Sequence, residues 1–215
     1  MAMPKIPDEQ RFVLFGIDWS TYVALSDSVM DRPVRFTFDG TNLELRTLSF
    51  QHEHSKNMLD RLLFAVVEAM DIDMASGGSM TCRRVDVARG LEPDRCYWIE
   101  HEPQVRGRMS INLETDPIPD LFLEIEITRS YLNRVAICAK LGVPEVWRWD
   151  GHTLRVVLLG PDGKYIESEC TKAFPFLPMK KMERFLKMAE SMSETKLLKT
   201  FRAWVREKMA RGWAC

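Results

Sequence analysis

The sequence predicts one α/β domain built on a central sheet and closed by a helical C-terminal extension, and three patterns carry that expectation. Residues 119–128, Pro-Asp-Leu-Phe-Leu-Glu-Ile-Glu-Ile-Thr, alternate with period two over an apolar run, as a core strand does. Residues 131–166 then give helix, strand and hairpin signals at short spacing, and from Pro178 onward the apolar residues recur at helical intervals. A chain of 215 residues is long enough to bury a core of that size.

Taken in order, residues 18–25 read as a short helix opened by Asp18 or Ser20 and lying as a lid on the core. Val34 to Phe38 alternates apolar and polar residues, turns through Asp39-Gly40-Thr41-Asn42 and resumes at Leu43-Glu44-Leu45, an N-terminal β-hairpin. Leu59, Leu62, Leu63, Val66, Val67 and Met70 then share one face of an amphipathic helix over 52–70. Gly77-Gly78-Ser79 breaks the chain before a strand at 80–84, and Glu92-Pro93 turns into an aromatic strand with Asp94 at its mouth. Residues 101–117 read as a loop. Ser130 is expected to cap a helix over 131–141, which Gly142 ends with Pro144 beyond. Strands at 145–149 and 153–159 join through Asp150-Gly151, and a second turn at 160–163 leads into 164–166. Two helices finish the chain, the second opened by a capping box from Ser191 to Glu194.

Composition and charge narrow the function classes. With 46% hydrophobic and 28% charged residues the chain is ordinary for a globular protein, and no apolar run approaches the roughly 20 residues of a membrane span. The first residues lack the apolar stretch of a secretory signal, so a cytoplasmic location is expected. Cys82, Cys96, Cys138, Cys170 and Cys215 are widely spaced without a Cys-x-x-Cys pair, which predicts reduced thiols rather than a disulfide framework or a zinc knuckle. The net charge of −1 hides an asymmetry: residues 172–215 hold 11 Lys/Arg against 4 Asp/Glu, and residues 1–171 hold 19 against 27. We therefore divide the chain into an acidic α/β body, 1–171, and a basic helical extension, 172–215, packed on it. Such an extension can touch phosphates, present a solvated face, or pair two copies as a homodimer through helices 178–211.

The chemistry rests on carboxylates. No glycine-rich phosphate loop and no Gly-x-Ser-x-Gly elbow is present. On the strand at 119–128, Leu121, Leu123, Ile125 and Ile127 fall on one face, and Phe122, Glu124, Glu126 and Thr128 on the other. Two carboxylates so placed lie roughly 7 Å apart and raise each other's pKa unless a cation relieves them. Few Lys or Arg stand nearby in sequence, so a divalent metal is the economical reliever, with Asp94 as a third ligand. Hard oxygen donors suit Mg²⁺ or Mn²⁺, and a carboxylate-held Mg²⁺ serves phosphodiester hydrolysis. The plainer reading is a solvated strand face. His52 and Glu53, at the start of the long helix, are weaker candidates, since His52 and His54 at i and i+2 do not share a face.

Gly-Leu-Glu-Pro-Asp-Arg-Cys-Tyr-Trp-Ile (90–99), Pro-Asp-Leu-Phe-Leu-Glu-Ile-Glu-Ile-Thr (119–128) and Gly-Val-Pro-Glu-Val-Trp-Arg-Trp-Asp-Gly (142–151) resemble the Uma-type "putative restriction endonuclease" family of the PD-(D/E)XK nuclease superfamily. The resemblance implies a restriction-endonuclease-like mixed sheet flanked by helices, Mg²⁺ or Mn²⁺ as cofactor and DNA as partner. It implies Asp94 and Glu124 as the metal-binding pair; Asp120, four residues before Glu124, is a weaker candidate. The superfamily pattern has lysine two residues after the acidic one, and here that slot is Glu126, read as a third ligand. Arg134 occupies the helical position at which many members place a basic residue, and would clamp phosphate or transition-state charge. Lys140, on the last turn, is a weaker candidate and suits the helix dipole. A metal-dependent endonuclease is expected; the alternative is a catalytically weakened nuclease-fold protein that binds nucleic acid or a protein partner without cleavage.

Overall fold

Asp39 Oδ1 accepts the Thr41 and Asn42 N–H groups, and Gly40 takes φ +100°, so the chain reverses there and pairs β2 (Val34–Phe38) with β3 (Asn42–Thr47) as expected. The computed structural model describes residues 9–28 and 34–211. In it the hairpin is the middle of an antiparallel five-stranded sheet. β1 (Arg11–Phe15) pairs with β3, β6 (Arg89–Leu91) pairs with β2, and β5 (Cys82–Arg84) forms the far edge. The helix α1 (Trp19–Ser28), capped by Asp18 through the Thr21 N–H, covers this sheet by stacking Tyr22 on Phe38 with ring centroids 4.7 Å apart. Gly90 passes beneath: a Cβ there would stand 2.2 Å from the Tyr22 hydroxyl oxygen.

The second sheet has six strands. Its members are β4 (Ala75–Gly78), β7 (Arg95–Trp98), β8 (Leu121–Ile125), β9 (Glu145–Trp149), β10 (Leu154–Leu159) and β11 (Tyr165–Ser168), in the order β11-β10-β9-β8-β7-β4. Every pair is antiparallel except β8 with β9, which the helix α4 (Arg134–Leu141) joins as a crossover. The sheet is therefore mixed, as the resemblance implies. The glycine pair is not a break, because Gly77 lies within β4 and packs against Cys96 Sγ and the Trp98 ring where no Cβ would fit. Within the connection at 101–117, α3 (Glu102–Val105) forms one short helical turn.

All five residues of β8 are buried, which decides where chemistry can sit. Leu121, Leu123 and Ile125 pack against Leu59, Leu62 and Val66 of α2 (Phe50–Met70), as the alternation requires. Phe122 faces the other way, into a second core shared with Ile137, Cys138 and Leu141 of α4 and with Cys82 and Leu91 of the first sheet. The face that carries Phe122 and Glu124, which the plainer reading would leave to solvent, is the interior between the two sheets.

The C-terminal helices α5 (Met179–Met188) and α6 (Glu194–Arg211) bury Phe185, Phe201 and Val205 in the α2 core. Glu145, itself buried, fastens the segment leading to them: its carboxylate accepts the Lys172 and Ala173 N–H groups at 2.9 and 2.8 Å and the Trp147 Nε1–H at 2.5 Å. Two helix starts differ from expectation. The helix α4 is capped by Asn133 through the Ala136 N–H, since Ser130 turns to Glu44, and α6 opens at Glu194, whose carboxylate pairs with Arg61 and His54 instead of closing a box with Ser191. Cys82, Cys96 and Cys138 are free and buried as expected, whereas Cys170 is disulfide-bonded. Among the described residues no helix is long and apolar enough to cross a membrane.

Candidate functional site

Two carboxylates meet between the sheets because their strands are neighbours. Asp94, just ahead of β7, accepts the Ile125 backbone N–H at 2.7 Å, which ties it to the strand that carries Glu124. Both acids are 1% exposed. A buried charge is costly unless it is paired, and each here has cations of its own.

Asp94 Oδ1 accepts from Arg46 of β3 at 2.9 Å, and Oδ2 lies 3.1 Å from His52 Nε2 at the start of α2. Burial opposes ionisation of Asp94, but the Arg46 charge, the His52 contact and the Arg134 charge outweigh it and hold the carboxyl below its usual range. Arg134, from the first residue of α4, grips Glu124: its Nε is 3.0 Å from Oε2, and its Nη2 is 2.9 and 2.8 Å from Oε1 and Oε2. The remaining donors reach the Thr37 hydroxyl and the Glu92 carbonyl oxygen, so the guanidinium spans both sheets. Burial, reinforced by the Asp94 charge and opposed by Arg134, pushes the Glu124 carboxyl up to about 7. The Glu124 and Asp94 charges in turn outweigh burial at Arg134 and raise its pKa, so the guanidinium stays charged.

Glu126 leaves this cluster. Its backbone N–H donates to the Trp149 carbonyl, and its side chain, about a quarter exposed, pairs with Arg148 at 2.6 Å. Arg148 stands beside Glu124 in the parallel β8–β9 register, which explains how a residue far off in sequence reaches it. Of the weaker candidates, His52 joins Asp94, whereas Glu53 turns to Lys56 at 2.7 Å. Asp120 has a structural task at the far end of β8: it accepts the Ile99 and His101 N–H groups and meets His101 Nδ1 at 2.5 Å. Lys140 is exposed on the last turn of α4, at the opposite end of that helix from Arg134.

Arg46 and Glu44 were not singled out from sequence. Both lie on β3, whose alternation of Leu43, Leu45 and Thr47 with Glu44 and Arg46 reads as an ordinary hairpin strand with one wet face. Instead the face lies against the second sheet. Glu44 is 1% exposed and accepts the Tyr131 N–H at 2.6 Å, the Ser130 hydroxyl at 2.9 Å and Arg11 Nη1 at 2.6 Å, so it fixes the loop that leads into α4.

A divalent cation would need open oxygen positions in this cluster. Asp94 and Glu124 supply hard oxygens, but all four oxygens have protein partners within hydrogen-bond distance, and Glu126 is engaged by Arg148. No group of three His, Cys, Asp or Glu side chains among the described residues is arranged to hold a metal ion. As disposed, these residues do not fit Mg²⁺ or Mn²⁺: arginines supply the positive charge that relieves the carboxylates.

Two clefts flank the region. The larger, about 1040 Å³, is lined by Trp19, Arg35, Met80, Arg83, Glu92 and residues 105–114, and holds neither Asp94 nor Glu124. The smaller, about 530 Å³, is lined by Glu126, Arg129, Tyr131, Asn133, Arg134 and Arg148; it touches the buried cluster through Arg134, and Asp94 and Glu124 are not among its lining residues. We place the candidate site at the second cleft, because chemistry there has access to Arg134 and Glu126.

Comparison with known proteins bears on the family and the fold. The model of the Uma2 family, described as "Putative restriction endonuclease", matches residues 19–193. A crystal structure of a "putative nuclease belonging to DUF820" from Anabaena variabilis ATCC 29413 superposes with a TM-score of 0.52 at 16% identity, covering 79% of this chain and 99% of that one. At that identity the likeness speaks for the fold. No curated protein matches the chain.

Proposed function

Because the chain belongs to the Uma2 family, we propose that it is a nuclease-fold protein that engages DNA at the cleft beside Arg134 and cleaves it weakly or not at all. One observation carries this reading: Arg134 holds both oxygens of Glu124 in a bidentate grip inside the protein. A lysine ammonium is a point charge that can share a carboxylate with another cation. The guanidinium fork occupies both oxygens and stays protonated, so it can serve neither as proton acceptor nor as a neighbour that yields a coordination position. The cleft offers Arg129 to phosphate, which suits binding.

A second reading is the metal-dependent endonuclease, with Asp94, Glu124 and Glu126 around Mg²⁺ or Mn²⁺. The observation that favours it is the juxtaposition of Asp94 and Glu124 on adjacent strands, linked through the Ile125 N–H. Supercoiled plasmid incubated with the protein and Mg²⁺ or Mn²⁺, alongside a DNA-binding titration without metal, separates the two. Binding without nicking supports our proposal. Nicking that depends on metal and is abolished by Glu124→Gln supports the second reading.

A further inference from the structure

We propose that the cleft beside Glu126 is a site for single-stranded nucleic acid, with an unstacked base on Tyr131 and its phosphate on Arg129. The proposal rests on the nucleic-acid reading above and names its substrate class. Tyr131 is 73% exposed, the only exposed aromatic ring among the residues lining this cleft. Its backbone is anchored, because Glu44 accepts the Tyr131 N–H at 2.6 Å and the Ser130 hydroxyl at 2.9 Å from the opposite sheet. An exposed ring on an anchored stretch of backbone offers a stacking face.

The charges around it are arranged for a phosphate. Arg148 is neutralised by Glu126 and Arg134 by Glu124, but Arg129 is exposed and forms no ion pair or hydrogen bond among the described residues. In the larger cleft, by contrast, Arg83 pairs with Asp27 at 2.7 Å, Arg106 with Glu102 at 2.6 Å and Arg108 with Asp116 at 2.6 Å, so its positive charge is already matched. A duplex presents phosphates but buries its base faces in the stack, and an exposed ring gains nothing from it. A single strand supplies both the phosphate and a free π-face. Ring and free guanidinium, two residues apart on one loop, match that pair of needs.

The test is fluorescence anisotropy of the full chain with a labelled oligothymidylate and with a duplex of equal length. Wild type is expected to prefer the single strand. Tyr131→Ala should weaken that binding about 10-fold and Tyr131→Phe should retain it, as base stacking on an aromatic ring requires. Arg129→Gln should weaken binding and lower the salt slope by about one. Both side chains are exposed, so these variants are expected to fold, and unchanged melting temperatures verify it. Binding of the wild type that is indifferent to Tyr131→Ala overturns this inference alone. Absence of binding to either oligonucleotide overturns it together with the nucleic-acid reading.

Discussion

Replacing Arg134 with methionine tests how the buried cluster is held together. The change leaves Glu124 inside the protein without its counter-ion and removes a donor from the Thr37 hydroxyl and the Glu92 carbonyl. Breaking a buried pair from one side costs about 3–5 kcal/mol, and each orphaned neutral acceptor adds about 1 kcal/mol. Arg134→Met should therefore destabilise by about 5–7 kcal/mol, a large share of the roughly 5–15 kcal/mol that holds a typical domain folded. The double variant Glu124→Leu/Arg134→Met replaces the pair by apolar groups of similar reach and should recover most of the loss. Urea unfolding followed by tryptophan fluorescence, with the double-mutant cycle completed by Glu124→Leu, gives the coupling. The reasoning fails if Arg134→Met costs less than about 1 kcal/mol, or if the double variant is as unstable as the sum of the singles.

Other parts of the account make separate predictions. Glu124 is raised to about 7, so it binds a proton more tightly folded than unfolded; the stability it contributes is complete below about pH 4.5 and is lost as the pH rises through 7. Glu124→Gln should flatten the fall in urea midpoint between pH 5 and pH 8. Asp94 is held low, so its contribution is present above about pH 3.8 and disappears on acidification; Asp94→Asn should remove that acid limb from a stability profile. Glu145→Ala strips the acceptor from the Lys172 and Ala173 N–H groups and Trp147 Nε1, and should cost about 2–4 kcal/mol with faster amide exchange at 172–188. Gly90→Ala drives a methyl group into Tyr22 and should cost about 1–3 kcal/mol, seen as a lower melting temperature.

The sequence showed what lies along one strand, and missed what another sheet brings to it. Period two separated Leu121, Leu123 and Ile125 from Phe122 and Glu124 correctly, because strand geometry alone dictates that alternation. The same rule could not say that the second face is interior, since that depends on β3 and β6 lying over it. Arg46 stands 48 residues before Asp94 and reaches it only through this stacking, so counting nearby cations left the carboxylates looking unrelieved. Arg134 was found because the family resemblance places a basic residue at that position of the following helix. Its grip on both oxygens was not, because local spacing does not fix side-chain reach. Glu126 followed Glu124 in the alternation but was drawn to Arg148 by the parallel register with β9, a non-local pairing. Gly77 and Gly78 resembled a break and form an edge strand, where the missing Cβ admits Cys96 and Trp98.

The central claim is that Arg134 occupies the oxygens of Glu124 that a metal would need. Titrating Mn²⁺ into wild type and into Arg134→Lys by calorimetry tests it most directly, since lysine keeps the charge and frees one carboxylate oxygen. The account predicts no site-specific heat for wild type and measurable binding for Arg134→Lys that Glu124→Gln abolishes. Stoichiometric Mn²⁺ binding by the wild-type protein, lost on Glu124→Gln, would contradict it.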